Sequence, residues 1–154
     1  MNIYVIAVGK IREKYIEEGI KEFTKRIKPF CPLKIIEIEA ESIKNNELKA
    51  LECEADKILS QINDSAYAIT LEIEKNQLSS TELAEKISNI NAEGINQLIF
   101  IIGGATGLSQ RVKKRANYSL SLSKMTFPHQ LARLILLEQL YRAFKIINNE
   151  PYHK

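Results

Sequence analysis

The feature that most constrains this chain is an uncharged, mostly apolar run, Gln97-Leu98-Ile99-Phe100-Ile101-Ile102, that passes directly into Gly103-Gly104-Ala105-Thr106-Gly107. A short run of this kind reads as a strand buried on both faces, and such a strand needs helices above and below it in a mostly parallel sheet. The glycines allow a backbone to approach a ligand closely, and a helix opening just beyond them favours anionic or polar groups. Their G-G-x-x-G spacing matches neither the dinucleotide fingerprint nor the phosphate loop, and it does not follow the first strand. On spacing alone, a tight turn explains these glycines as well as a ligand site does.

The same alternation of strand and helix runs through the rest of the chain. Asn2–Val8, rich in Ile and Val, predicts a buried strand that stops at Gly9-Lys10. Ile16, Ile20, Phe23 and Ile27 recur at helical spacing until Pro29 and Pro32 end the helix. Leu33–Ile38 predicts a second strand, and Leu48, Leu51, Ala55, Ile58, Leu59 and Ile62 fall on one face of a second helix. A third strand is expected over 66–73. Ser79-x-x-Glu82 then forms a capping box, and Gly94 closes the helix it opens. A short basic helix over 109–115, a short strand over 118–122 and a long helix over 128–147 complete the pattern. The expected fold is α/β, one domain over 1–154, with a parallel sheet covered on both faces.

At 154 residues with 45% hydrophobic content, the chain can build a packed core without a staple. Cys31 and Cys53 are too few for a disulfide framework or a zinc site, and no metal is expected. With no signal-peptide pattern, a reducing cytoplasm is the expected compartment. The most apolar stretch, 131–147, carries Arg133, Glu138, Arg142 and Lys145 and is short for a bilayer, so no membrane partner is expected. Its apolar positions occupy more than one face, which points to a symmetric homodimer.

The net charge of +3 conceals a strong asymmetry: 1–50 carries +2, 51–100 carries −6 and 101–154 carries +7. A segment this basic suits a polyanion such as nucleic acid or a phosphate-bearing ligand. A solvated basic helix face accounts for the charge equally well. Arg111, Lys113, Lys114 and Arg115 form the densest cluster, beside the glycine loop.

Two further segments stand out. Leu122-Ser123-Lys124-Met125-Thr126-Phe127-Pro128-His129 reads as an ordered loop with a polar interior, and Pro128 suits the first turn of the helix it enters. His129 at that helix N-terminus is expected to be neutral, whether as a capping residue or as part of a site. The tail from Asn148 to Lys154, ending Pro151-Tyr152-His153-Lys154, reads on composition alone as a frayed end.

Taken together, Ala7-Val8-Gly9-Lys10, Ile101-Ile102-Gly103-Gly104-x-x-Gly107-Leu108, the stretch from Leu120 to His129, Glu138-Gln139-Leu140-Tyr141-Arg142-Ala143 and Pro151-Tyr152-His153 resemble the bacterial large-subunit rRNA pseudouridine N3-methyltransferases of the SPOUT superfamily. The resemblance spans essentially the whole chain. One departure is Lys75, where the family commonly has glycine.

The resemblance implies a SPOUT-type sheet with a C-terminal trefoil knot, an exception to the rule that chains do not thread through loops. It implies S-adenosylmethionine held by Leu71, Gly103, Leu122, Ser123, Lys124, Met125, Thr126 and Phe127, and 23S rRNA within the ribosome as substrate. It also favours a homodimer. A sulfonium methyl is already electrophilic, so the protein's task is to align the target nitrogen and exclude water. The N3 proton needs a base, and the imidazoles are His129 and His153. His153 is the favoured base because a tail can close over a bound nucleobase, with Tyr152 beside it and Arg142 orienting phosphate or tail. Arg111, Lys113, Lys114 and Arg115 are the expected RNA contacts. A non-catalytic RNA-binding protein of the ribosome is the alternative, and it would have no reason to bind the cofactor. A nucleotide-binding enzyme ranks third, since no acidic metal ligands follow the strands.

Overall fold

The computed structural model describes residues 1–42, 44 and 46–154. Five parallel strands, β1 (Asn2–Val8), β2 (Leu33–Ile38), β3 (Tyr67–Gln77), β4 (Gln97–Ile102) and β5 (Tyr118–Ser121), form one sheet in the order β2-β1-β4-β3-β5. Between and after them run α1 (Lys14–Ile27), α2 (Glu47–Leu59), α3 (Ser80–Ala92), α4 (Gln110–Arg115) and α5 (His129–Ile147).

Strand alternation divides the core in two. On β1, Ile3, Val5 and Ala7 face the layer made by α1, α3 and α5, while Ile6 and Val8 face the layer made by α2 and α4. Leu98, Phe100 and Ile102 on β4 go to the first layer and Ile99 and Ile101 to the second. All five are buried, as a strand covered on both faces requires. The capping box of α3 is present: the Ser79 hydroxyl accepts from the Glu82 amide at 3.1 Å, and the Glu82 carboxylate accepts from the Ser79 amide at 2.6 Å.

Three features differ from the sequence reading. The third strand does not stop at Ile73. It pairs with β5 as far as Leu71, leaves the ladder, and resumes at Asn76 beside the same Leu120. Residues 72–75 are thus an outward excursion whose left-handed residue is Glu74 (φ 56°), so the backbone here asks for no glycine at Lys75. The polar pattern Glu72-x-Glu74-Lys75 looks like a strand end because it is the part of the strand that leaves the sheet.

The tail is not frayed. Tyr152 packs edge-on against Tyr141 with ring centroids 4.8 Å apart, and Glu150 pairs with Lys145, which folds Pro151, Tyr152 and His153 back along α5. Part of the apolar excess of α5 also has takers within the chain, Leu134 and Tyr141 among them, while Leu131 and Ile135 belong to neither core cluster. The helix lies on the sheet between α1 and α3, and α1 comes close enough that a Cβ on Gly19 would meet Leu134 at 2.8 Å.

A buried cation completes the layer. Arg133, 2% exposed, donates to Glu37 at 2.7 Å and to the Gly9 carbonyl at 3.0 Å, joining α5 to the carboxyl ends of β2 and β1.

Candidate active site

A cavity of about 460 Å³ opens beyond the carboxyl ends of β3, β4 and β5, where Leu71, Ile102, Gly103, Leu122, Phe127 and His129 meet. In a parallel sheet this end collects the loops that follow the strands, which is why open α/β sheets place ligands there. The glycine loop forms one wall. The Gly107 amide donates to the Gly104 carbonyl at 3.1 Å, and Gly107 adopts φ +80°, closing a tight turn. A Cβ on Gly103 would lie 2.5 Å from the Gly107 carbonyl oxygen, so the turn itself excludes a side chain there. That reason is internal to the loop and differs from close approach to a ligand.

The segment 122–127 forms the opposite wall. The Ser121 hydroxyl donates to the Ser123 carbonyl at 2.9 Å, and the Ser123 hydroxyl accepts from the Met125 amide at 3.0 Å. These two serines fix the loop's backbone. Of the eight residues expected to hold a cofactor, all but Lys124 line the cavity. Lys124 faces a shallow groove alongside, with Gln77 and Glu82.

His129 lines the cavity at the start of α5. Burial, then Arg133 and Arg12, hold its imidazole below the ordinary pKa, so it is neutral near neutral pH. Arg142, Tyr152 and His153 are elsewhere. Thirteen helical steps separate His129 from Arg142, about 20 Å along the axis. There the Arg142 guanidinium binds Glu138 at 2.6 Å and lies over the Tyr152 ring at 4.7 Å, with His153 Nδ1 at 3.4 Å. The structure therefore separates the four residues expected to act together into two groups.

The basic cluster on α4 is largely engaged within the chain. Arg111 bridges Glu52 at 3.0 Å and Asp56 at 2.7 Å, and Ser109 adds a bond to Glu52, which keeps that carboxyl below its usual range. Arg115 donates to the carbonyls of Asn63 and Ala66 at 2.7 and 3.1 Å. Lys113 stands 3.7 Å from Glu72 at the cavity. Lys114 is exposed and makes no ion pair among the described residues.

Two residues with clear structural roles escaped the sequence reading. Glu72 is a nearly buried carboxylate on the cavity wall, and its signal is an acid alternating with Thr70 and Leu71 inside a buried strand. Arg133 is the other, visible only as one cation in an apolar run. Among the described residues, no group of His, Cys, Asp and Glu could hold a metal, and no helix is long and apolar enough to cross a membrane.

Comparison with known proteins bears on the family and the fold. The chain is 54% identical to a ribosomal RNA large subunit methyltransferase H from Finegoldia magna, covering all of both chains. It is 51% identical to the protein of that description from Clostridioides difficile, again over the full length of each. Among solved structures, the tRNA (m1G37) methyltransferase of Aquifex aeolicus superposes with TM-score 0.60 at 14% identity, over 100% of this chain and 75% of that one. A protein described as a probable methylase family protein, from Haemophilus influenzae, gives 0.59 at 14% identity, over 99% and 70%. At that identity these two speak for the fold alone. The family described as predicted SPOUT methyltransferase matches residues 1–153, and the chain belongs to the SPOUT methyltransferases.

Proposed function

We propose that this protein methylates N3 of a pseudouridine in 23S rRNA, using S-adenosylmethionine, in the cytoplasm and as a homodimer. The observation that carries the reading is the cavity: the segments expected to hold the donor, remote in sequence, converge on one space walled by Gly103 and 122–127. Its volume lies within the roughly 300–1,000 Å³ of small-molecule sites. Leu71, Ile102, Leu122 and Phe127 offer an apolar wall suited to a purine, and the fixed backbone of 122–127 offers polar groups for its edge. These residues fit the cofactor. The knotted threading of the C-terminal chain belongs to the same proposal.

When bound, S-adenosylmethionine supplies an electrophilic methyl group on sulfur. The protein's own work is orientation and proton removal. His129, neutral and already at the cavity, is placed to take the N3 proton of the target base. His153, favoured on sequence, lies with Tyr152 and Arg142 at the far end of α5 and serves a cavity only if it is the partner's. In a symmetric dimer whose two α5 helices pack antiparallel across the axis, the far end of one would approach the near end of the other, so each tail would cover the partner's cavity.

RNA phosphates need cations not already engaged. Arg111 and Arg115 would have to give up partners within the chain, whereas Lys75 at the cavity, Lys114 and Lys124 make no ion pair among the described residues. Replacing Lys114 by Glu is expected to weaken rRNA binding and flatten its salt dependence with donor affinity retained, whereas Lys75→Glu, at the cavity wall, is expected to weaken both. An unchanged salt slope removes these lysines from the interface. The activity itself is tested by nucleoside mass spectrometry of rRNA from a strain lacking the gene. Loss of a methyl on pseudouridine, restored by the gene, is expected; unaltered rRNA refutes the assignment.

A further inference from the structure

Glu72 lines the cavity with a side chain only 7% exposed, and it is the sole carboxylate among the described residues that do so. Its Oε1 accepts from Thr70 at 2.7 Å and from Ser119 at 3.2 Å. Its Oε2 has Lys113 Nζ at 3.7 Å, beyond hydrogen-bond reach. Taking a carboxylate out of water is costly unless its lone pairs are used, and one oxygen here is only partly served. Lys113 is likewise half-used, since its ammonium carries three donors.

We infer that Glu72 and Lys113 form a subsite for the α-amino acid head of the methyl donor, the Glu72 carboxylate accepting from the ligand ammonium and the Lys113 ammonium donating to the ligand carboxylate. The inference rests on the cofactor reading above. An anion and a cation side by side on a cavity wall are the electrostatic complement of an α-amino acid, whose own ammonium and carboxylate lie a few bonds apart. The position of the pair follows from the fold. The excursion of 72–75 carries Glu72 out of the β3 ladder after Leu71, and α4 presents Lys113 opposite it. Thr70 and Ser119, adjacent on β3 and β5, clamp the carboxylate from behind. Specificity follows, because a ligand without the zwitterionic head makes no use of this pair.

Calorimetry on the full chain tests this with three ligands: S-adenosylmethionine, S-adenosylhomocysteine and 5′-methylthioadenosine, which keeps the nucleoside but lacks the amino acid head. Glu72→Gln and Lys113→Met are each expected to weaken the first two by about 10- to 100-fold and to leave the third within about twofold. Equal losses for all three ligands in both variants would make the pair a structural prop and overturn the subsite. Unchanged affinity for the first two would overturn it as well. Wild-type protein that binds none of the three would instead overturn the cofactor reading, and the subsite with it. Circular dichroism and thermal unfolding identify a variant that has lost its fold, in which case the other variant decides.

Discussion

The phenol of Tyr152 donates to the Glu138 carboxylate at 3.1 Å, and the same carboxylate oxygen receives the Arg142 guanidinium at 2.6 Å. Burial, followed by the bond to Glu138, raises the Tyr152 pKa, so the phenol stays protonated as a donor. The tail is thereby anchored about 20 Å from the His129 end of the helix it lies on. In the proposed homodimer, the cavity within the tail's reach is therefore the partner's.

A mixing experiment separates the two geometries. A subunit lacking residues 151–154 keeps its cavity, and a Gly103→Val subunit keeps its tail. Heterodimers of the two are expected to have a single working site if the tail acts across the interface, read as methyl incorporation per dimer. No activity in the heterodimer, with both parents inactive, would place the tail's action within its own chain.

Gly103 and Gly104 are expected to respond differently to alanine. At Gly103 the added carbon meets backbone, the Gly107 carbonyl at 2.5 Å; at Gly104 it meets only a side-chain methyl of Val8 at 3.2 Å. Gly103→Ala should reshape the turn, costing about 1–3 kcal/mol of stability and weakening donor binding at least about tenfold. Gly104→Ala should cost less than about 1 kcal/mol. Urea unfolding and calorimetry on both variants check this, and equal behaviour contradicts it.

His129 gives a pH dependence with a definite sign. In the unfolded chain its imidazole takes a proton near pH 6.5, while burial, Arg133 and Arg12 depress the folded value. The stability linked to it is full above that pH and is lost as pH falls through the folded pKa. His129→Gln should narrow the drop in unfolding free energy between about pH 7.5 and about pH 5.5. The same drop in variant and wild type would show that His129 is not held neutral by the fold.

How much of this was legible in the sequence depends on the range of the interaction. The doubly buried β4, the capping box at Ser79 and the turn at Gly107 are encoded by neighbours and emerge from local pattern. The excursion at 72–75 does not, because it is defined by where the chain rejoins β5, and pairing partners lie outside the local window. The docking of Tyr152 on Tyr141 and Glu138 escapes composition for the same reason, since a polar tail looks frayed until its aromatic finds a surface. Arg111 and Arg115 read as free cations because Glu52, Asp56 and the Asn63 carbonyl meet them only in the fold. The cavity residues were legible through family resemblance, which carries long-range information that periodicity lacks.

Methyl transfer to a 23S pseudouridine is tested most directly with purified protein, methyl-labelled S-adenosylmethionine and ribosomes from a strain lacking the gene. Nucleoside mass spectrometry of the recovered rRNA is expected to place the label on N3 of pseudouridine in the large-subunit RNA, and Gly103→Val protein is expected to leave it unlabelled. Label on another nucleoside, or none with a protein that binds the donor, would contradict the account.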